Sequence, residues 1–195
     1  VIVGDFETKI LKKALDKSFS QIKPFTLRKS TRPREDKSKQ TSVNVLQAPF
    51  QETIVHTAWK VPGAKHKDTP ALDLLALVLG QGDSSRLSYR VRIKSAIANY
   101  VGAHVYSPQD EGFFAVSAGM SLENMNEYLS EIGEEILQIQ IEGVSQAELD
   151  KAISILEADE IYGVETVDGL ARKLGSFELL FNKPDYYKNY LKKLA

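Results

Sequence analysis

Apolar residues recur along this chain with two different periods, and the periods divide it into sheet and helix. Residues 51–61, QETIVHTAWKV, alternate: Ile54, His56, Ala58 and Lys60 share one face, and Val55, Thr57 and Trp59 the other. That is the pattern of a half-buried strand. Pro62-Gly63 closes it. Residues 71–79 are almost continuously apolar and are stopped by Gly80 and Gly82, which predicts a buried helix. Asp83 or Ser84 is placed to cap a second helix that carries Arg86, Arg90 and Arg92. Alternation returns over 98–106. After a turn at 108–112 it continues, with Phe113, Ala115 and Ser117 set against Phe114, Val116 and Ala118. Two alternating runs across a short turn predict an antiparallel hairpin.

Beyond residue 120 the period is helical. Ser121 is placed to cap a helix with Leu122, Met125, Leu129, Ile132 and Ile136 inward and Glu127, Glu131, Glu134 and Glu135 mostly in water; Gly143 ends it. Ser145-x-x-Glu148 is a capping box that opens the next helix, whose stripe is Leu149, Ala152, Ile153 and Leu156. Thr166 caps a third, with Leu170, Leu174, Phe177 and Phe181 inward, and Pro184 starts a last one through Tyr187, Tyr190 and Leu191. Strands followed by helices, without regular βαβ alternation, indicate an α+β fold: an antiparallel sheet with helices packed on one face.

The beginning of the chain reads differently. Residues 1–5, VIVGD, suggest a buried strand ending in a turn, and a helix follows with Ile10, Leu11, Ala14, Leu15 and Phe19 on one face. One strand and one helix cannot bury a core, so residues 1–25 read as the end of a preceding domain. Residues 26–42 have no apolar period and hold Arg28, Lys29, Arg32, Arg34, Lys37 and Lys39 against Glu35 and Asp36. We read them as a solvated linker rather than an anion-binding strip. The main domain is then 43–195, with Val43, Val45 and Ala48 its first strand-like residues. The expectation is a fragment whose upstream sequence is missing and whose last domain is incomplete.

Composition narrows the function classes. The 195 residues are 43% hydrophobic, ample for a core. Lys+Arg of 25 against Asp+Glu of 26 leaves no general field to attract nucleic acid or an anionic membrane. The absence of cysteine excludes disulfides and thiolate-held metals. No apolar run approaches the ~18 residues of a membrane span.

Chemistry-bearing motifs are few. Zinc hydrolysis needs two imidazoles on one helix face, and His56, His66 and His104 have neither the spacing nor a predicted helix. The expectation is no metal site here. His104 alternates with Gly102 and Tyr106, a placement that can face a cleft. No Gly-x-Ser-x-Gly elbow occurs, and Gly80-x-Gly82-Asp83-Ser84-Ser85-Arg86 lacks the Gly-Lys-Ser/Thr ending of a phosphate loop. Arg86 and Arg90 lie one helical turn apart, open either to pairing with helix carboxylates or to holding a substrate carbonyl or carboxylate.

At these residues the sequence resembles the pitrilysin/insulinase family of zinc metallopeptidases, in its mitochondrial-processing-peptidase-like branch, and within it the second, zinc-free half. The resemblance rests on Gly63-Ala64-Lys65-His66-Lys67-Asp68 before Ala71-Leu72-x-Leu74-Leu75, and on Leu79-Gly80-x-Gly82-x-Ser84-Ser85-Arg86-Leu87. It continues through Val91-Arg92, Lys94, Ile97-Ala98, Gly143-Val144-Ser145-x-x-Glu148-Leu149, Leu170-Ala171-x-x-Leu174-Gly175 and Tyr187-x-x-Tyr190-Leu191. The order is the family's along nearly the whole chain. The resemblance implies two similar halves around a chamber, with zinc in the missing half or on a partner subunit and a peptide as substrate. It implies that this half binds substrate and closes the chamber, presenting an arginine and a tyrosine to the substrate carbonyl. Arg92 matches the arginine, Asn99 stands at the tyrosine's place, and Tyr100 follows one residue later. With His104, Asn99 is a substrate-binding candidate, and Tyr100 serves only if the backbone re-aims it. The alternative is a structural or assembly subunit of the same family that has lost catalysis. The resemblance leans the location towards a bacterial periplasm.

Overall fold

The strand at the centre of the sheet is the last of the three in sequence. β1 (Thr53–Val61), β2 (Tyr100–Tyr106) and β3 (Gly112–Met120) lie in the order β1-β3-β2, antiparallel throughout. Register pairs Val55 and Val101 with Ala118 from either side, and Trp59 and Val105 with Phe114. The structure, a computed structural model, describes residues 1–26, 40–186, 188 and 190.

Period-two alternation does what the sequence predicts. Val101, Phe114, Val116, Ala118 and Met120 are buried on one face of the sheet. Ile54, His56, Tyr100, His104, Tyr106 and Phe113 belong to the other face by register. Against the first face pack α2 (Thr69–Gly80), a π-helix at Ser88–Lys94 and α3 (Met125–Glu142). Their Ala76, Leu79, Leu87, Val91, Tyr128 and Ile132 complete one core with the sheet. α4 (Gln146–Tyr162) and α5 (Val167–Phe181) follow, and α4 packs on α2. This is the expected α+β arrangement.

Gly80 acts through space rather than as a helix stop alone. A Cβ there would lie 2.0 Å from the Ala103 backbone nitrogen, so α2 rests directly on β2. Gly82, at φ +80°, makes the turn that follows.

Several local expectations hold. Ser145 and Glu148 form a complete capping box, with the Ser145 N–H donating to Glu148 Oε2 at 2.8 Å. Thr166 Oγ1 accepts from the Gly169 N–H at 3.0 Å. Gly143 ends α3 at φ +75°.

Others do not hold. Residues 1–5 form no strand, and Val1 and Ile2 are exposed. Nor do 43–48: Val43, Val45 and Leu46 lie open to solvent. An apolar run becomes a strand only where a neighbour takes its backbone hydrogen bonds, and neither segment pairs with a described strand. α3 turns inward much of the expected face, with Ile132 in the core and Met125 and Ile136 packed against it, but not all of it. Leu122 sits exposed in a 3₁₀ turn and Leu129 is largely exposed, while Tyr128 is fully buried. Tyrosine carries a large apolar body despite its hydroxyl.

By contact density the described chain forms two units, residues 4–49 and residues 1–3 with 50–195. The first holds α1 (Thr8–Phe19), none of whose residues is buried. The charged segment read as a linker lies largely outside the described residues, as do Tyr187 and Leu191 of the last predicted helix. No described helix is long and apolar enough to cross a membrane.

Candidate functional site

The basic segment between α2 and β2 is wound unusually. Ser85, fully buried, donates from Oγ to the Gly82 carbonyl at 2.7 Å and so locks the turn after α2. The chain then enters the π-helix, where the Ser95 N–H reaches back five residues to the Arg90 carbonyl at 3.1 Å. Neither Asp83 nor Ser84 caps it, contrary to expectation. Asp83 accepts from Arg92, and Ser84 is bonded to Lys151. Arg92 and Lys151 occupy the two side-chain oxygens instead. Two residues beyond the end of the π-helix at Lys94 stands Ala96, a non-glycine residue at φ +51°.

This winding sorts the three arginines. Arg86 donates from Nε and Nη2 to the two carboxylate oxygens of Glu148, at 2.6 and 2.8 Å, and from Nη1 to Glu135 at 3.3 Å. Arg90 donates to Glu131, Glu134 and, at 3.1 Å, Glu135. The Glu135 side chain is only 7% exposed, held between two guanidinium groups. Of the α3 glutamates expected on a wet face, Glu131, Glu134 and Glu135 are therefore counter-ions of Arg86 and Arg90. Their partners stand more than forty residues away in sequence, where no helical period can reveal them. The pairing with Arg86, helped by the Ser145 hydrogen bonds, holds the Glu148 carboxyl down to about 2 from its ordinary 4.5. The same pair raises the pKa of Arg86. Pairing is thus the outcome for Arg86 and Arg90.

Arg92 leaves the helix in another direction. Its Nη1 donates to Asp83 Oδ1 at 2.9 Å and its Nε to the Asn99 carbonyl at 3.2 Å. The Asn99 N–H anchors to the Gly119 carbonyl at 2.8 Å, and its side chain donates to Glu52 Oε1 at 2.6 Å. Tyr100 pairs with Gly119, and its ring lies so close that a Cβ on Gly119 would stand 2.2 Å from Cε1. Arg92, Asn99 and Tyr100 thus gather at one end of the sheet, with Asp83 and Glu52 beside them. The sequence reading missed these two carboxylates as site residues. Asp83 read as a cap, and Glu52 carried no local signal.

His104 stands apart. It shares Tyr100's face but lies four residues along β2, about 13 Å at strand rise, with its ring edge-on to Phe113 at 6.0 Å. Arg92 lines neither of two cavities formed by the described residues. One, of about 350 Å³, is bounded by Thr69, Asp73, Leu156, Phe177, Phe181 and Tyr190. Burial raises the pKa of Asp73 there, and the Tyr190 hydroxyl donates to it. The other, of about 340 Å³, lies over Arg86, Arg90 and Glu135.

The histidines do not converge. His56 Nδ1 meets Ser117 Oγ at 2.7 Å, and His66 Nδ1 accepts from the Asp68 N–H at 3.3 Å. Among the described residues no group of three or more His, Asp or Glu is placed to hold a metal ion. The described residues do not fit zinc.

Comparison with known proteins gives this geometry its context. Residues 1–156 match the family model of the peptidase M16 inactive domain. The zinc protease PqqE of Helicobacter pylori is 30% identical over 177 residues, which are 88% of this chain and 39% of that protein. An uncharacterised zinc protease of Streptomyces coelicolor is 27% identical over 72% of this chain and 31% of its own length. The crystal structure of a protease from Helicobacter pylori superposes with a TM-score of 0.81 at 28% identity, covering 98% of this chain and 47% of that one. The chain spans less than half of each of these relatives. It belongs to the M16 peptidase family, as an inactive domain of the kind found in zinc proteases.

Proposed function

We propose that this chain is the metal-free, substrate-binding and chamber-closing half of a zinc metallopeptidase, with Arg92 directed at the substrate carbonyl. One observation carries the reading. Of the three arginines on the π-helix segment, two are enclosed by carboxylates, while Arg92 is held beside Asn99 and Tyr100. A guanidinium next to a scissile carbonyl stabilises negative charge as it develops on the oxygen. Loss of one such donor costs about 10²–10³ in kcat. Asn99 adds an amide donor but cannot act as an acid. The outer strands β1 and β2 pair on one side only among the described residues, and an extended peptide can add to such an edge. His104 would meet a side chain further along β2. The metal and the group that activates water would belong to a zinc-bearing half or partner subunit.

A photo-reactive extended peptide, bound to the complete peptidase stripped of metal, tests this. Crosslinks are expected on residues 92–100; crosslinks confined to the zinc-bearing half would reject the reading. The second reading, an assembly subunit without catalysis, draws on Asn99 at the tyrosine's place and on Arg92 already having a carboxylate partner. It calls for no crosslink at Arg92 and no turnover.

A further inference from the structure

We propose that Asp83 is a positioning residue for Arg92: together with the Asn99 carbonyl it sets the plane in which the guanidinium meets the substrate. The inference rests on the reading above and adds to it the group that orients the arginine.

An arginine side chain has many rotamers, so one left loose in water presents no fixed geometry. Arg92 is pinned at two atoms from two segments, Nη1 by Asp83 before the π-helix and Nε by Asn99 after it. Two such bonds define a plane, and the remaining N–H groups of the fork stay available to an acceptor. The Asp83 carboxylate is 81% exposed, yet its backbone is not adrift. It follows Gly82, whose positive φ and whose bond from buried Ser85 fix the turn. Asp83 takes no other hydrogen bond or ion pair among the described residues.

The contrast with Arg86 and Arg90 separates orientation from stability. Those two tie the π-helix to α3 and α4 through partly or wholly buried carboxylates. An exposed pair such as Asp83–Arg92 contributes little to folding, so orienting the guanidinium is the effect that remains for it. The backbone on either side agrees. π-helical turns and left-handed non-glycine residues concentrate at functional sites, and Arg92 lies inside the one and four residues before the other.

Two measurements test the assignment. In this chain, the Arg92 Nε–H resonance should exchange slowly with solvent, and Asp83→Ala should speed that exchange and shift the line. A resonance unmoved by Asp83→Ala overturns the inference whatever the catalytic role of Arg92. In the complete peptidase, with an internally quenched peptide, Asp83→Ala should lower kcat by about 3–10-fold with KM within about twofold. Asp83→Glu should recover part of the loss, and Asp83→Ala should have no further effect on Arg92→Ala. An equal loss in the Arg92→Ala background marks a purely structural role and also overturns it. Should Arg92→Ala itself leave turnover unchanged, the proposed function fails, and the exchange measurement still decides whether Asp83 sets the guanidinium.

Discussion

Replacing Arg86 by alanine removes the main tie between the π-helix and the helices behind it. Arg86 spans both carboxylate oxygens of Glu148, touches Glu135 and donates to the Gly143 carbonyl at 3.1 Å. Its side chain is four-fifths buried, whereas Glu148 retains about a third of its exposure and can re-solvate. Breaking a buried ion pair costs about 3–5 kcal/mol and an exposed one at most about 1. Arg86→Ala lies between, nearer the buried limit, because Glu135 stays buried with Arg90 as its remaining cation. The expected loss is about 2–3 kcal/mol, or roughly 5–10 °C in the melting temperature of a domain this size. Calorimetry of this chain gives the number, with Arg172→Ala as control. The Arg172–Asp168 pair is exposed, so its loss should stay within about 0.5 kcal/mol. The same pair sets an acid limb. The folded Glu148 carboxyl sits near 2 against an ordinary 4.5, so its stabilisation is complete above about 4.5 and is lost as pH falls towards 2. Arg86→Ala should flatten that part of the stability curve. A melting temperature within about 1 °C of the parent chain, or an unchanged acid limb, would refute the reasoning.

Two further substitutions probe the same region. Ala96→Gly should leave stability unchanged or raise it by up to about 1 kcal/mol, because glycine avoids the left-handed strain at φ +51° while losing more chain entropy; a loss above about 1 kcal/mol in urea unfolding would contradict this. Tyr128 is fully buried, and its hydroxyl has no hydrogen-bond partner among the described residues. Tyr128→Phe should therefore stabilise by about 1 kcal/mol in the same assay, and a clear destabilisation would mean that the hydroxyl is satisfied.

Local signals made much of the fold legible. Alternation at Ile54 to Val61 and over the β2–β3 hairpin places the right side chains on the core face. The Ser145–Glu148 box and the Thr166 cap act within one helical turn, so the sequence carries them whole. What stayed hidden depends on distance in the chain. Glu135 reads as a solvated glutamate until Arg86 and Arg90 arrive from forty-five or more residues away. Val43 and Val45 have strand propensity, but no described neighbour supplies a ladder. The π winding has no periodic signature, yet it sends Arg92 towards Asp83 and Asn99 instead of towards the α3 glutamates. The candidate site was therefore half visible: Arg92, Asn99 and Tyr100 by resemblance to a family, Asp83 and Glu52 only by geometry.

The most direct measurement is steady-state peptide hydrolysis by the proposed complete peptidase, with Arg92→Ala in this chain. Expected is a fall in kcat of about 10²-fold or more, with KM little changed and zinc content intact. Parent-like turnover from that variant would contradict the assignment of this sheet end to the substrate carbonyl.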